Sequence, residues 1–230
     1  MIEERKIHEN KELPLVIRRS ARARRISLKI DTKARQGILV LPVGISEIEG
    51  LDFAEQHREW LNRQLAELPI PIPFADGATI PFLGNETVIQ HGGQCRGIVE
   101  VGEKSLTVFG RPEHLARRLT DWLKRQARTE ISRLVAEKSA QLGRKAGRIT
   151  IRDQKTRWGS CAVSGNLTFN WRLILAPKFV LDYVVAHEVA HLAEHNHSAN
   201  FWAIVATLTE HSEPGRAWLR RHGSELHRYG

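Results

Sequence analysis

The sequence predicts an α+β fold, with a β-rich amino-terminal half and a second half in which a small antiparallel sheet packs on a helix carrying the chemistry. Three observations lead there. Apolar residues alternate with period two through Ile26, Leu28 and Ile30 and again through Ile38 and Val40, as half-buried strands require. Leu115, Leu119, Trp122, Leu123, Ile131, Leu134 and Val135 recur at three- and four-residue intervals, the pattern of an amphipathic helix. Between Phe179 and Leu192 apolar side chains point to nearly every side of a helical projection, which describes a helix buried in a core.

The elements follow in chain order. From about Leu15 to Phe109 the chain reads as short strands, punctuated by Gly37, Pro42, Gly84, Gly92, Gly93 and Gly102. One helix interrupts them: Ser46 precedes Glu49 in a capping-box pattern, and Phe53, Trp60, Leu61 and Leu65 continue to a break at Pro69. The PIPIPF run that begins there is a turn or linker, since proline cannot sit in a helix interior. A longer helix begins after Pro112 and runs towards Gly143. Three strands are expected around 149–152, 157–162 and 167–171, the last two joined in a hairpin across Ser164 and Gly165. Pro177 then opens the buried helix, at a position where its missing N–H costs least. We therefore expect a β-rich region with one helix over 1–110 and a second domain over 111–230.

Composition bounds the function. The 230 residues are 41% hydrophobic and 27% charged, ordinary for a globular chain of one or two domains and outside the range of disordered ones. The opening MIEERKIHEN has no apolar signal core, and Cys95 and Cys161 form neither a disulfide framework nor a Cys-x-x-Cys site, so a cytoplasmic location is expected. No run of about 18 apolar residues exists to cross a membrane, and no membrane contact is expected. The net charge of +9 attracts anions. Part of it lies in Arg18, Arg19, Arg22, Arg24 and Arg25, and a second share in Arg117, Arg118, Lys124, Arg125 and Arg128. A solvated face is favoured over nucleic-acid contact through Arg18–Arg25, because no aromatic residue interleaves with the run to stack on bases.

The chemistry sits at His187-Glu188-Val189-Ala190-His191. Imidazoles at i and i+4 stand above one another on one helix face, about 6 Å apart in rise, so both reach one ion. Glu188 lies about 100° around the helix from His187, beside the ion, placed to accept a proton from an activated water as general base. Two histidines and a glutamate in so apolar a helix are costly to bury unless paired or bound to metal. For a third ligand, His195 continues the series but a straight helix lifts it about 12 Å from His187. A turn at Glu194-His195-Asn196, where asparagine tolerates left-handed backbone, swings His197 back instead. His197 also follows His187 by the ten residues of the HExxHxxGxxH pattern, although Glu194 replaces the glycine and no methionine is available for a Met-turn. Glu210 and Glu213 are the runners-up. Three imidazoles on one Zn2+ ion would leave an open position, the arrangement of catalytic zinc.

The segment from Lys155 to Cys161 (KTRWGSC), with Asn170 to Leu173, Tyr183 to Glu188, His191-Leu192, Asn196 to Ser198 and Phe201-Trp202, closely resembles the YgjP-like metallopeptidase family, which is related to SprT-like and WLM zinc proteins. Upstream, Arg18 to Ser20, Arg22 to Arg25 and Pro42 to Ser46 are similar to that family's amino-terminal half. The resemblance implies a zincin-like domain with His187, His191 and His197 as zinc ligands and Glu188 as catalytic acid and base. The expected function is zinc-dependent hydrolysis, of a peptide in the first instance. Two alternatives rest on the basic charge: phosphoanhydride cleavage of a nucleoside triphosphate, and a non-enzymatic binding module with a structural metal closed by both His195 and His197. The substrate is accordingly expected to be a peptide or another anionic molecule. Arg157, His211 and Tyr183 are candidates to stabilise an oxyanion, Trp158 is either a core or a substrate-lining residue, and Cys161 is expected to be a small buried side chain and not a ligand.

Overall fold

The computed structural model describes residues 4–6, 13–31, 34–68 and 70–230. The α+β class holds: strands dominate the first half and small mixed sheets alternate with helices throughout. The chain divides into two compact units, Met1–Ile70 and Pro71–Gly230. Among the described residues no helix is long and apolar enough to cross a membrane.

In the first unit β1 (Glu4–Lys6), β2 (Leu15–Ser20), β3 (Ser27–Asp31) and β4 (Gln36–Pro42) form a sheet of order β1-β2-β4-β3. β2 runs parallel to β4, and β1 and β3 run antiparallel to their neighbours. Leu39 and Leu41 alternate inward from β4 onto Ile17 and Ala54, the small core of this unit. The helix expected from Ser46 starts there, with the Ser46 hydroxyl accepting the Glu49 amide at 3.1 Å. It is two helices, however: α1 (Glu47–Gln56) and α2 (Arg58–Ala66). At His57 the amide turns to the Ala54 carbonyl three residues back, and the ring Nδ1 takes the Phe53 carbonyl that a continuing helix would have given to that amide. Arg22, Arg24 and Arg25 are exposed in the β2–β3 connection, and Arg19 is tied to the Ile45 carbonyl and paired with Glu47.

The second unit begins before the expected 110/111 boundary. β5 (Thr79–Phe82), β6 (Asn85–His91), β7 (Val99–Val101) and β8 (Ser105–Val108) form a sheet of order β5-β6-β8-β7. Its inward residues Ile80, Ile89, Leu106 and Val108 share one core with Leu119, Leu123, Ala127 and Ile131 of α3 (Leu115–Leu142). Burying that common apolar surface joins sheet and helix into one unit, which a boundary at 110 would cut through. The proline-rich stretch after Ile70 forms no helix, and Ile72 bridges to Tyr229.

After Gly143, which ends α3 in left-handed conformation (φ 67°), come β9 (Ile149–Arg152), β10 (Gly159–Cys161) and β11 (Leu167–Asn170). The hairpin of β10 and β11 forms as expected, with Gly165 at φ 78°. The sheet is mixed and not purely antiparallel. β9 pairs in parallel with β11, leaving β10 at the edge, because the connection after β9 carries the chain past the centre before it returns through the hairpin. A 3-10 turn (Trp171–Leu175) leads into α4 (Lys178–Ala190), followed by α5 (Ala199–Leu208) and α6 (Ser212–His222). Val180, Val185, Ala186, Val189 and Ala190 of α4 are fully buried, as the all-round apolar pattern required. The buried Lys138 of α3 locks this layer: its Nζ donates to Asp182 at 2.6 Å and to the Leu208 carbonyl at 2.8 Å, while Thr209 donates to the second Asp182 oxygen. With both charges satisfied, the pair ties α3 to α4 and to the end of α5.

Candidate metal centre

α4 ends two residues earlier than its apolar pattern suggested, with His191 as its C-cap. The chain then turns through 191–198 and re-enters a helix at Ser198, whose hydroxyl accepts the Phe201 amide at 3.3 Å. The turn needs no left-handed residue at Asn196. Among described non-glycine residues only Arg35 and Leu83 have positive φ, and Asn196 instead accepts the Ser198 amide on its side-chain oxygen at 2.9 Å, a local bond that folds the backbone back.

This turn brings His197 to His187 and His191. One ring nitrogen from each lies within 4.8 Å of the others, and the Nε2 atoms of His187 and His197 are 3.1 Å apart. Two nitrogens sharing a zinc at about 2.0–2.1 Å in tetrahedral geometry stand about 3.3 Å apart, close to the His187–His197 separation, and three neutral imidazoles are a donor set that such an ion takes. His191 Nδ1 lies 2.9 Å from the Glu194 carbonyl, which fixes the proton on Nδ1 and frees Nε2 as a lone-pair donor. Among the described residues, the buried His187 Nδ1 has no hydrogen-bond partner. Phe201 packs on all three rings, stacked on His191 at 4.5 Å and edge-on to His187 at 4.9 Å and His197 at 4.7 Å. Trp202 lies beyond, 5.8 Å from His187 and 5.9 Å from His197. These two aromatics hold the rings in place and shield one side from water.

The electrostatics suit a cation. Burial, reinforced by His191, His197 and Arg216, lowers His187 to about 4, so it is a neutral ligand at pH 7. Burial also lowers His191, against the hydrogen bond to Glu194. Glu188 is 6% exposed, and burial raises it to about 7 against the opposing charge of Arg157. A buried carboxylate held near 7 can take up or release a proton close to neutral pH.

Of the runners-up, His195, Glu210 and Glu213 stand outside the three-histidine group. Tyr183 is beside the site, its ring 5.9 Å from His187, whereas His211 packs on Phe179. Arg157 acts on Glu188 from the loop before β10. That loop is firmly anchored: Asn170 donates to the Gln154 carbonyl at 2.6 Å, Arg172 pairs with Asp153, and Trp158 lies against His227 at 5.2 Å. Trp158 therefore packs on the carboxy-terminal segment. Cys161 is half-buried, and burial followed by the charge of Glu188 pushes its thiol up to about 11, a protonated and inert group.

Sequence reasoning missed two residues. Gly159 lies against Glu188: a Cβ there would stand 2.5 Å from Glu188 Cγ and Oε1. Arg216 of α6 holds its guanidinium 5.4 Å above the Trp202 ring. The glycine stood within the KTRWGSC segment, but only its contact gives it meaning, and nothing local marks Arg216.

A profile of the family described as YgjP-like, metallopeptidase domain, matches residues 24–222. The chain belongs to this family. The match of the YgjP-like family takes in the histidine group and the whole Lys155–Cys161 segment, and leaves Arg18, Arg19 and Arg22 before its start. Among solved structures, the crystal structure of the metallopeptidase zymogen of Pyrococcus abyssi abylysin is 22% identical, covering 43% of this chain and 97% of that one with a TM-score of 0.37. No curated protein matches the chain significantly.

Proposed function

We propose that this YgjP-like protein is a zinc-dependent metallopeptidase, with His187, His191 and His197 as the ligands of one zinc ion and Glu188 as general base. The observation that carries the reading is the convergence of three ring nitrogens within 4.8 Å beside a buried glutamate, in a chain of a metallopeptidase family. Three protein ligands leave a fourth position for water or substrate, whereas structural zinc is closed by four. Bound there, zinc supplies Lewis acidity towards a water and towards the substrate carbonyl.

The chain's own residues supply the rest. His191 is held in one tautomer by the Glu194 carbonyl, so its Nε2 lone pair would be available to hold the zinc without first losing a proton. Glu188 takes a proton from the attacking water on a carboxylate oxygen and passes it to the leaving amine, which a group raised to about 7 does readily in both directions. Arg157 keeps a share of Glu188 ionised, because its charge opposes the burial. β10 is an edge strand of its sheet with Gly159 against Glu188, which supports an extended peptide adding along β10 with its scissile bond at the glutamate.

A panel assay tests the reading against phosphoanhydride hydrolysis. Zinc-loaded protein is offered casein and a peptide library in one arm and nucleoside triphosphates in the other, each beside Glu188→Gln. Peptide cleavage lost in the variant is the expected result. Phosphate or pyrophosphate release lost in the variant would replace the peptidase reading, and activity that survives the variant in both arms would refute an enzymatic role for Glu188.

A further inference from the structure

Arg216 is a cation set at the rim of the histidine group with its hydrogen-bonding capacity free. It sits in the second turn of α6, where Gly215 packs so closely on Tyr183 that a Cβ would stand 2.6 Å from the tyrosine Cβ. The close crossing of α6 on α4 fixes where the next residue projects. The guanidinium carbon lies 5.4 Å above Trp202, whose ring is itself within 6 Å of His187 and His197, and its charge acts on both His187 and Tyr183.

Several other cations of this unit are committed elsewhere: Arg172 pairs with Asp153, Lys138 with Asp182, Arg133 with Glu130 and Glu137, and Arg157 acts on Glu188. Arg216 is exposed and has neither an ion pair nor a hydrogen bond among the described residues. Glu213, one turn earlier, contributes an opposing charge at Tyr183 but forms no ion pair with Arg216. Stacking on an indole restrains a guanidinium while leaving its planar fork of N–H groups open, the geometry that binds a carboxylate with two parallel hydrogen bonds.

We propose that Arg216 is a specificity residue that binds a carboxylate of the peptide substrate, on a residue next to or near the scissile bond. The inference rests on the peptidase reading and names its substrate class: peptides acidic beside the cut. The carboxylate can belong to an Asp or Glu side chain or to a chain terminus, and the two sources are separable.

The cut site is first located with a random-sequence peptide library read by mass spectrometry. Zinc-loaded wild type, Arg216→Ala and Arg216→Glu are then assayed on matched fluorogenic peptides. One pair differs only as Glu against Gln beside the scissile bond, with Lys as a third member, and the other pair ends in a free acid or an amide at the same place. Wild type should favour the carboxylate member of one pair about tenfold or more, expressed mainly in KM, the size of one charge-assisted contact at an exposed site. Arg216→Ala should abolish that preference, lowering kcat/KM for the carboxylate peptide about tenfold or more relative to its neutral partner, and Arg216→Glu should turn it towards Lys. The pair that responds identifies the source. A wild type without preference, or an Arg216→Ala variant that slows charged and neutral peptides equally, would overturn the proposal and leave Arg216 a structural role. If wild type cleaves no peptide, the peptidase reading fails by itself. Anisotropy binding of the same peptides to the zinc-loaded protein then decides: an Arg216-dependent preference upholds carboxylate recognition, and its absence overturns it.

Discussion

Gly159→Ala is the sharpest local test of how the site works. The new Cβ would stand 2.5 Å from Glu188 Cγ and Oε1 and 2.8 Å from Cδ. Reaching even the 3.0 Å that real contacts respect requires at least 0.5 Å of movement, and ordinary contact at 3.4 Å requires 0.9 Å. Neither partner gives easily. Gly159 is paired with Phe169 in the ladder of β10 and β11, and Glu188, 6% exposed, is rooted in a helix whose flanking Val185 and Val189 are fully buried. Because Cγ is struck as well as the carboxylate tip, a rotation at the end of the side chain does not relieve the clash. Overpacking of this kind costs about 1–3 kcal/mol, and displacing a catalytic group by about 1 Å costs about 100-fold in rate. The variant should stay folded and bind one equivalent of zinc while kcat/KM for peptide falls about 100-fold. Metal analysis and steady-state cleavage read the two quantities separately. A folded, zinc-loaded variant within about threefold of wild type would refute the claim that Glu188 must hold this position.

Three further outcomes follow from the same structure. His187→Ala, His191→Ala and His197→Ala should each lose zinc on gel filtration with metal analysis, while His195→Ala retains it; retention in His197→Ala would remove the third ligand. In metal-free protein the folded Glu188 keeps its proton between its ordinary 4.5 and about 7, so its contribution to stability falls as pH rises through that window, whereas His187, lowered from 6.5 to about 4, makes stability rise with pH between those values. Glu188→Gln removes the first effect only, so the variant should gain about 3 kcal/mol on metal-free wild type between pH 4.5 and 7.5, from 2.5 pH units at 1.36 kcal/mol each, and urea denaturation showing a pH-independent difference would contradict it. Lys138→Met leaves the Asp182 carboxylate with only the Thr209 hydroxyl, so unfolding free energy should drop by about 3 kcal/mol, and a loss below about 1 kcal/mol in the same assay would mean the buried pair is dispensable.

What the sequence makes legible here is what is local. The Ser46 cap, the start of α4 after Pro177, the Gly165 hairpin and the i, i+4 histidines are each decided by residues within one or two turns, and all appear where expected. The features not anticipated are decided by distant partners. The break at His57 depends on one ring nitrogen capturing a carbonyl, a choice that the smooth apolar pattern from Phe53 to Leu65 conceals. The parallel pairing of β9 with β11 is a matter of chain routing and has no local signature. The unit boundary at Ile70 reflects a core shared by β5–β8 and α3, whose residues look alike whether they pack together or apart. At the site the same division holds: the group formed by His187, His191 and His197 is legible from spacing, whereas Gly159 and Arg216 reach it from other elements of the chain.

The most direct test of the central claim is a zinc titration of chelator-stripped protein followed by peptide cleavage. Cleavage should be absent in the stripped protein and rise linearly to a plateau at one zinc per chain, as one group of three histidines requires. No cleavage at any zinc concentration, or a plateau at another stoichiometry, would contradict it.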